Sequence, residues 1–316
     1  MSDAEVILVT GPLDDRDRER IRAASPGSRV EFADRIGDRP DLLPGAVVIA
    51  GSPGPEELAR AGSLRWVHSW AAGVDGALDS GLADHPAVLT SAAGNGAVPL
   101  AEHAVLLMLM LDRDAPRWAR AQREHRWDRF PHGELNGRTC GIIGLGNSGL
   151  DLAAKAKAFH MRVVGLRRRT DLPAPNVDRV HPPEELHALL AESDFVVVTA
   201  PLTPATAHLI GAAEFAAMKE TAHIISISRG GIIDDAALLA ALTERRIAGA
   251  GLDAHGVEPL PGDSPFWDLP NVIVTPHNGA TTEATRRRGV DIFVDNLERR
   301  ARGLPLSNVV DKAAGY

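Results

Sequence analysis

The sequence contains one cysteine, Cys140, one tyrosine and few aromatic residues, 4% in all. A single thiol excludes an intramolecular disulfide and any metal site built from a cysteine cluster. Cys140 opens an apolar run, where a small buried side chain is the expected role rather than a reactive one. No apolar run approaches the roughly 20 residues that a membrane helix needs; the longest spans 104–111. A basic excess is also missing: 34 Lys and Arg stand against 42 Asp and Glu, a net charge of −8. That balance excludes a general nucleic-acid surface, though not a local basic pocket. The start, Met1-Ser2-Asp3-Ala4-Glu5, is acidic and has no basic, apolar leader pattern, so a cytoplasmic location is expected. No His, Asp or Glu spacing suggests a catalytic metal, and no Ser or Cys nucleophile motif is present.

At 316 residues, with 44% hydrophobic and 24% charged residues, the chain has the composition of a globular protein with room for two domains. Its organising stretch is Thr139-Cys140-Gly141-Ile142-Ile143-Gly144-Leu145-Gly146-Asn147-Ser148-Gly149. An apolar run ends in Gly144-x-Gly146-x-x-Gly149, and an alanine-rich helical pattern follows to Phe159. Strand, glycine turn and helix in that order suit a dinucleotide: the turn is tight, the backbone can approach a pyrophosphate, and the helix N-terminus offers free N–H groups. A second strand-like run, 162–166, closes the βαβ unit.

Before this unit, residues 5–10, 43–50, 64–69 and 88–91 read as strands, and 55–61 as a helix. The charged segment 14–20 reads as a solvated helix face. These first ~100 residues form a small α/β layer of their own. Residues 99–111 (PLAEHAVLLMLML) predict a helix apolar on nearly all sides, which must be widely buried, between domains or against a second subunit. Residues 117–129 are polar and rich in Arg and Trp, and read as an arm or linker. After the glycine turn, helices at 183–191, 212–219 and 234–245 alternate with strands at 195–199, 223–227, 248–253 and 272–274. That is a doubly wound parallel sheet, with ligands expected at the carboxyl ends of its strands. Residues 282–302 predict one long helix, and 304–310 are extended. If that helix returns to the N-terminal layer, the first domain is discontinuous.

Three short segments follow three consecutive predicted strands: Ser228-Arg229-Gly230-Gly231, then Asp253 through Glu258-Pro259, then Thr275-Pro276-His277-Asn278-Gly279. They bring an Arg, a Glu and a His to one rim of the sheet. Singly, each has a plain structural reading as a turn residue, a loop acid or a capping histidine. Together they support one chemistry. A hydride attacks a ketone only when the oxygen is protonated or polarised, and an imidazolium can supply the proton. A neighbouring carboxylate orients the ring and favours its charged form. An Arg holds the substrate carboxylate and polarises the carbonyl.

With these residues in view, the chain resembles the D-isomer-specific 2-hydroxyacid dehydrogenases over nearly its whole length. The matching pieces are 69–75 (SWAAGVD), 101–104 (AEHA), 141–146 (GIIGLG), 201–206 (PLTPAT), 228–230 (SRG), Glu258-Pro259 and Thr275-Pro276-His277. The resemblance implies Arg229 as the substrate-binding arginine, His277 as the acid/base, and Glu258 as its partner. It implies backbone amides at Ala72, Gly73 and Val74 for the substrate carboxylate. It carries cofactor contacts to Gly144, Leu145, Gly146, Asn147, Ser148, Arg167, Arg168, Pro201, Thr206, Ser228, Asp253, His277 and Gly279. The implied architecture is a pair of doubly wound α/β parallel-sheet domains, one Rossmann-type and one flavodoxin-like, with the active site in the cleft. The expected substrate domain is discontinuous, 1–98 and 287–316. The expected dinucleotide domain is 99–286, with a dimerisation helix and arm at 99–135, since members are commonly homodimers.

An acid ending the second strand of the nucleotide fold reads ribose hydroxyls in NAD-specific members. Here that place holds Arg167, eighteen residues after Gly149, followed by Arg168 and Arg169. Guanidinium groups match a 2′-phosphate, so NADPH is the expected cofactor, with use of both NADPH and NADH the alternative. Asp253 is a candidate to tune the His–Glu pair or meet the nicotinamide amide, and His255 a loop residue without a catalytic role. Arg286-Arg287-Arg288 reads as a solvated or subunit-facing triplet. The expected reaction is reduction of a small 2-oxo acid to the D-2-hydroxy acid. Formate and phosphite oxidation are disfavoured by Glu258 and by the absence of a lysine in the 70–73 loop. The small pair Ala71-Ala72 leaves room for a substrate side chain larger than hydrogen. The alternative from another class is a nucleotide-sensing binding protein of corepressor type on the same fold.

Overall fold

The computed structural model describes residues 4–316; Met1 to Asp3, the start of the acidic N-terminal stretch, lie outside the described residues. The chain divides into two compact units. One comprises the residues up to Asn95 together with Thr282–Tyr316, and the other is Gly96–Thr281.

The first unit carries strands β1 (Val6–Thr10), β2 (Arg29–Ala33), β3 (Ala46–Ala50), β4 (Trp66–Ser69) and β5 (Val88–Ser91). All pair in parallel, in the order β2-β1-β3-β4-β5, which is the flavodoxin-like order. Helix α1 (Asp15–Ala23) starts at Asp14, whose carboxylate accepts from the Asp17 amide at 2.8 Å, satisfying one of the orphan donors of a first turn. The helices α2 (Pro55–Arg60) and α3 (Asp75–Ala77) are short. Alternate strand residues serve opposite faces. Leu8, Ile49, Val67 and Leu89 pack on one side, and Ile7, Val9, Val48 and Ala50 on the other. The second face is completed by Val290, Phe293, Val294 and Leu297 of the C-terminal helix, Glu283–Ala301. Buried Asn296 on that helix ties down the extended tail, donating to Ser307 O at 3.1 Å and accepting from Ser307 N at 2.7 Å.

The basic triplet corrects its sequence reading. Arg286 pairs with Asp14, Asp17 and Glu283, and Arg288 Nε donates to Asn95 O at 2.6 Å. Two of the three guanidiniums therefore hold the helix to its own unit, while Arg287 stays exposed and pairs with Glu283.

The second unit begins with α4 (Ala97–Asp112) and α5 (Ala115–Arg123). The arm expected at 117–129 is thus helical in its first half. Asp114, in left-handed backbone, accepts from Arg117 N and starts the helix, and Arg117 grips Asp128 through two guanidinium bonds of 2.7 and 2.9 Å. A sheet of seven strands follows, with its helices: β6 (Thr139–Ile143), α6 (Asn147–Ala158), β7 (Arg162–Leu166), β8 (Arg179–His181), α7 (Leu186–Glu192), β9 (Phe195–Val198), α8 (Ala212–Ala217), β10 (His223–Ser226), α9 (Asp235–Thr243), β11 (Gly249–Leu252) and β12 (Val272–Val274). The order is β12-β11-β10-β9-β6-β7-β8, all parallel. The winding reverses between β6 and β9, so the dinucleotide crevice belongs at their carboxyl ends. Both faces are covered. Val196 and Val198 join Leu189 and Phe215, while Phe195 and Val197 join Leu107, Met108 and Leu152. Helix α4 buries Ala101, Ala104, Leu107 and Met108 completely, yet leaves Leu106 48% exposed.

Two edge strands, β2 and β8, have no counterpart in the sequence reading. Each alternates charged and apolar residues over a short length, so the pattern carries less signal than the apolar interior strands.

In the first unit, fully buried His68 on β4 faces Thr90 on β5, Nδ1 to Oγ1 at 2.8 Å, and stacks on Phe293 with centroids 4.8 Å apart. Burial drives its pKa down to about 3, so it stays neutral in the fold while the unfolded chain protonates below about 6.5. The unfolded state then binds more protons, and stability falls as pH falls from 6.5 towards 3, by about 1.4 kcal/mol per pH unit from this residue. Urea unfolding at pH 6.5, 5.5 and 4.5 is expected to show this slope, and His68→Leu to flatten it by about 1 kcal/mol per unit. An unchanged slope in the variant would place the acid sensitivity elsewhere.

Candidate active site

The second unit builds its glycine turn where β6 ends. Gly144 has φ +106°, and a Cβ there would stand 2.7 Å from Ala200 N, just past β9. Gly149 lies under Gly144, where a Cβ would meet the Gly144 carbonyl oxygen at 2.1 Å. Both positions reject a side chain, so the ends of β6 and β9 and the start of α6 can close on one another. Gly146 differs: nothing lies within 4 Å of a Cβ built there, and Gly146 and Asn147 are exposed at the start of a twelve-residue helix. An open backbone at a helix N-terminus fits a pyrophosphate. Leu145 is buried against Gly165, and Ser148 is half-buried. On the neighbouring loop, Thr206 Oγ1 accepts from Thr203 N at 2.8 Å and donates to Pro201 O at 2.7 Å, fixing the turn that presents exposed Pro201. Buried Ser228 Oγ has no protein partner among the described residues.

After β7 the three arginines separate in role. Arg167 is half-buried, and its guanidinium turns onto the carbonyls of Leu172 and Pro173. Arg168 and Arg169 are exposed. Arg167 thus braces the basic loop.

The rim follows β10, β11 and β12. Half-buried Arg229 donates from its guanidinium to Ser228 O at 2.8 Å. The next residue, Gly230, presses on the second loop, where a Cβ would stand 1.7 Å from His255 O. His255 donates its amide to Glu258 Oε1 at 2.9 Å, and its Nε2 meets Thr275 O at 2.9 Å. His277, in left-handed backbone at φ 51°, turns Nδ1 to Glu258, 2.8 Å from Oε2 and 2.9 Å from Oε1. Burial raises the Glu258 pKa, but the His255 amide and the His277 ring outweigh it, and the carboxyl lies below its usual range. An ionised carboxylate only accepts, so Nδ1 of His277 carries hydrogen and Nε2 is the atom left for chemistry.

Asp253 departs from the expected placement. Its carboxylate is fully buried and its bonds go to Thr275 Oγ1 (2.7 Å), Asn278 N (3.0 Å) and Gly279 N (3.0 Å), not to Glu258 or His277. The reason is local: β11 ends one residue earlier, so Asp253 points into the base of the adjacent 275–279 loop. Sequence reasoning assigned no role to Thr275 or to His103, which meets Thr275 Oγ1 from α4 at 3.0 Å. Only the spacing of His103 within the Ala101–Ala104 motif could have drawn attention to it.

In the first unit, the loop after β4 carries Ala72, Gly73 and Val74. Trp70 anchors its start through Nε1 to Thr10 O at 2.7 Å, and Ala92 N donates to Ala71 O at 3.1 Å. The amides of Ala72 and Gly73 donate to no protein group among the described residues. No cluster of His, Cys, Asp or Glu able to hold a metal, and no helix long and apolar enough to cross a membrane, occurs among the described residues.

Residues 105–279 match the D-isomer specific 2-hydroxyacid dehydrogenase, NAD binding domain. The crystal structure of an NADPH-dependent glyoxylate/hydroxypyruvate reductase from Sinorhizobium meliloti, in complex with NADP and sulfate, superposes with a TM-score of 0.85. It is 30% identical, over 99% of this chain and 100% of that one. The glyoxylate reductase of Korarchaeum cryptofilum is 32% identical over 91% of this chain and 87% of its own length. The D-3-phosphoglycerate dehydrogenase of Methanocaldococcus jannaschii is 32% identical over 96% of this chain but 59% of its own length. Against further D-3-phosphoglycerate dehydrogenases the chain spans 49% and 40% of their length, about half of the relatives it matches. The chain belongs to the D-isomer-specific 2-hydroxyacid dehydrogenase family, and its second unit is that family's NAD-binding domain.

The Gly230 contact predicts a stability effect separate from any chemistry. Gly230→Ala is expected to cost about 2 kcal/mol in urea unfolding, because the methyl must push the His255 carbonyl away. A variant as stable as the parent would mean that the two loops are not pressed together.

Proposed function

We propose that the protein is a cytoplasmic reductase of small 2-oxo acids, forming the D-2-hydroxy acid reversibly with NADPH preferred and NADH as a lesser cofactor. The observation that carries this reading is the Glu258–His277 pair, with Arg229 on the loop after the adjacent strand, β10. A reduced nicotinamide, when bound, supplies the hydride. His277 holds a proton at Nε2 and gives it to the carbonyl oxygen as that oxygen gains charge, and it takes the proton back in the reverse direction. Glu258 fixes the ring through Nδ1 and stabilises the imidazolium. Arg229 binds the substrate carboxylate and polarises the carbonyl. The amides of Ala72, Gly73 and Val74 are assigned to the same carboxylate.

The assigned cofactor residues are Gly144, Leu145, Gly146, Asn147 and Ser148 at the turn, with Pro201, Thr206, Ser228 and Gly279 on the loops beside it. Arg168 is the proposed reader of the 2′-phosphate, with Arg167 supporting its loop. Asp253 acts behind the 275–279 loop rather than on the ligand. A homodimer formed through α4 and the following segment is supported by apolar groups left exposed there: Leu106 at 48% and Trp127 at 91%.

Turnover on a panel of 2-oxo acids of increasing chain length, with NADPH and NADH, tests the reading. Tight cofactor binding without turnover on any of them would overturn it in favour of a nucleotide-sensing protein. His277→Ala is expected to lower kcat at least about a hundredfold while the NADPH Kd stays within about twofold; equal loss of both contradicts the assignment. Arg167→Asp and Arg168→Asp are each expected to weaken NADPH by about tenfold or more and NADH far less. Unchanged preference in both variants would show that the basic loop does not read the phosphate.

A further inference from the structure

The loop that carries His277 is held from below by a chain of side chains rooted in α4. Asp253 is fully buried and accepts from the amides of Asn278 and Gly279, the two residues after His277. It also takes the Thr275 hydroxyl at 2.7 Å. The carboxylate only accepts, so Thr275 spends its one proton there and can only accept from His103, 3.0 Å away. Nε2 of His103 is therefore a donor, and it lies 3.5 Å from Asp253 Oδ1 as well. The imidazole also forms a wall under Gly279: a Cβ at that glycine would meet the ring at 3.1 and 3.2 Å and Asp253 Oδ2 at 2.8 Å. The direction of donation runs His103 to Thr275 to Asp253, and the Asp253 oxygens then grip the backbone on the far side of His277. His277 itself sits at φ 51°, a conformation that a residue with a side chain keeps only where its surroundings determine it. Glu258 fixes the ring of His277 and Asp253 fixes the backbone that follows.

We propose that His103 is a positioning residue. Through Thr275 and Asp253 it holds the 275–279 loop so that the His277 ring meets Glu258 and keeps Nε2 aimed outward. The proposal rests on the reading of His277 as the acid/base, but its geometry does not need that reading. His103 touches neither reacting atoms nor the Glu258–His277 pair; its bonds go to Thr275 and Asp253. Removing its donor leaves Thr275 Oγ1 without that hydrogen, and a small displacement of an acid/base group costs rate steeply.

The test compares His103→Leu, which removes the donor, with His103→Gln, whose amide nitrogen can take the place of Nε2. Two readouts are taken on the full chain. Hydrogen exchange at the amides of Asn278 and Gly279 is expected to speed up about tenfold in His103→Leu, to return close to the parent in His103→Gln, and to stay unchanged in β6 and β9. With a 2-oxo acid that the parent reduces, kcat in His103→Leu is expected to fall about tenfold while the NADPH Kd, from fluorescence titration, stays within about twofold. Unchanged exchange at the two amides overturns the proposal. So does a Gln variant that matches Leu, or a loss in Leu confined to cofactor binding. If the parent reduces no 2-oxo acid, the functional reading fails, and the exchange experiment still decides the role of His103.

Discussion

The working rim of the second unit depends on backbone brought closer to backbone than side chains allow. Gly230 lies against the His255 carbonyl, and Gly149 lies against the Gly144 carbonyl. Parallel strands about 4.8 Å apart set the spacing of their loops, and the loops then have to descend onto one another. Where they do so, a glycine stands at the contact. Because Gly230 leaves room, the 255–259 loop can sit between its neighbours, with His255 bonded to Glu258 within the loop and to the Thr275 carbonyl across from it. Glu258, on that loop, inherits its position from the stacking.

The same packing separates two carboxylates close in sequence. Asp253 and Glu258 are five residues apart, yet one is wholly buried and bonded to two backbone amides and the Thr275 hydroxyl, while the other remains partly open and faces a histidine. Their environments follow from where the strand ends. The residue at the end of β11 points into the base of the next loop, and the residue further out can face the ring. Arg167 and Arg168 divide in the same way, the first turned onto carbonyls of its own loop and the second exposed.

Much of this was legible in the sequence. Apolar interior strands such as Phe195–Val198 and the glycine turn at 144–149 stand out because burial on both faces and close backbone approach leave few residue choices. The Glu258–His277 pair was legible because each residue follows a strand with a clear pattern. The edge strands β2 and β8 were not, since half-exposed strands tolerate charge. The role of Asp253 was not legible either: spacing puts a carboxylate near a histidine but does not say which atoms it faces. Nor did the arginine triplet at 286–288 reveal its acidic partners, Asp14 and Asp17, which lie some 270 positions earlier.

The discontinuity of the first unit bears on the order in which the chain can fold as it is made. Val290, Phe293 and Leu297 close one face of a sheet whose strands are all synthesised before Ala92. On the ribosome, that face of the nascent sheet has only α1, through Ile21, to cover it until residues 283–301 emerge. The Gly96–Thr281 unit is contiguous and has its complete set of strands by then. Domains generally fold as units during synthesis, so of these two units the one begun first is the second to be finished. Loss of the 283–301 helix therefore uncovers the sheet whose strands were made before the second unit began.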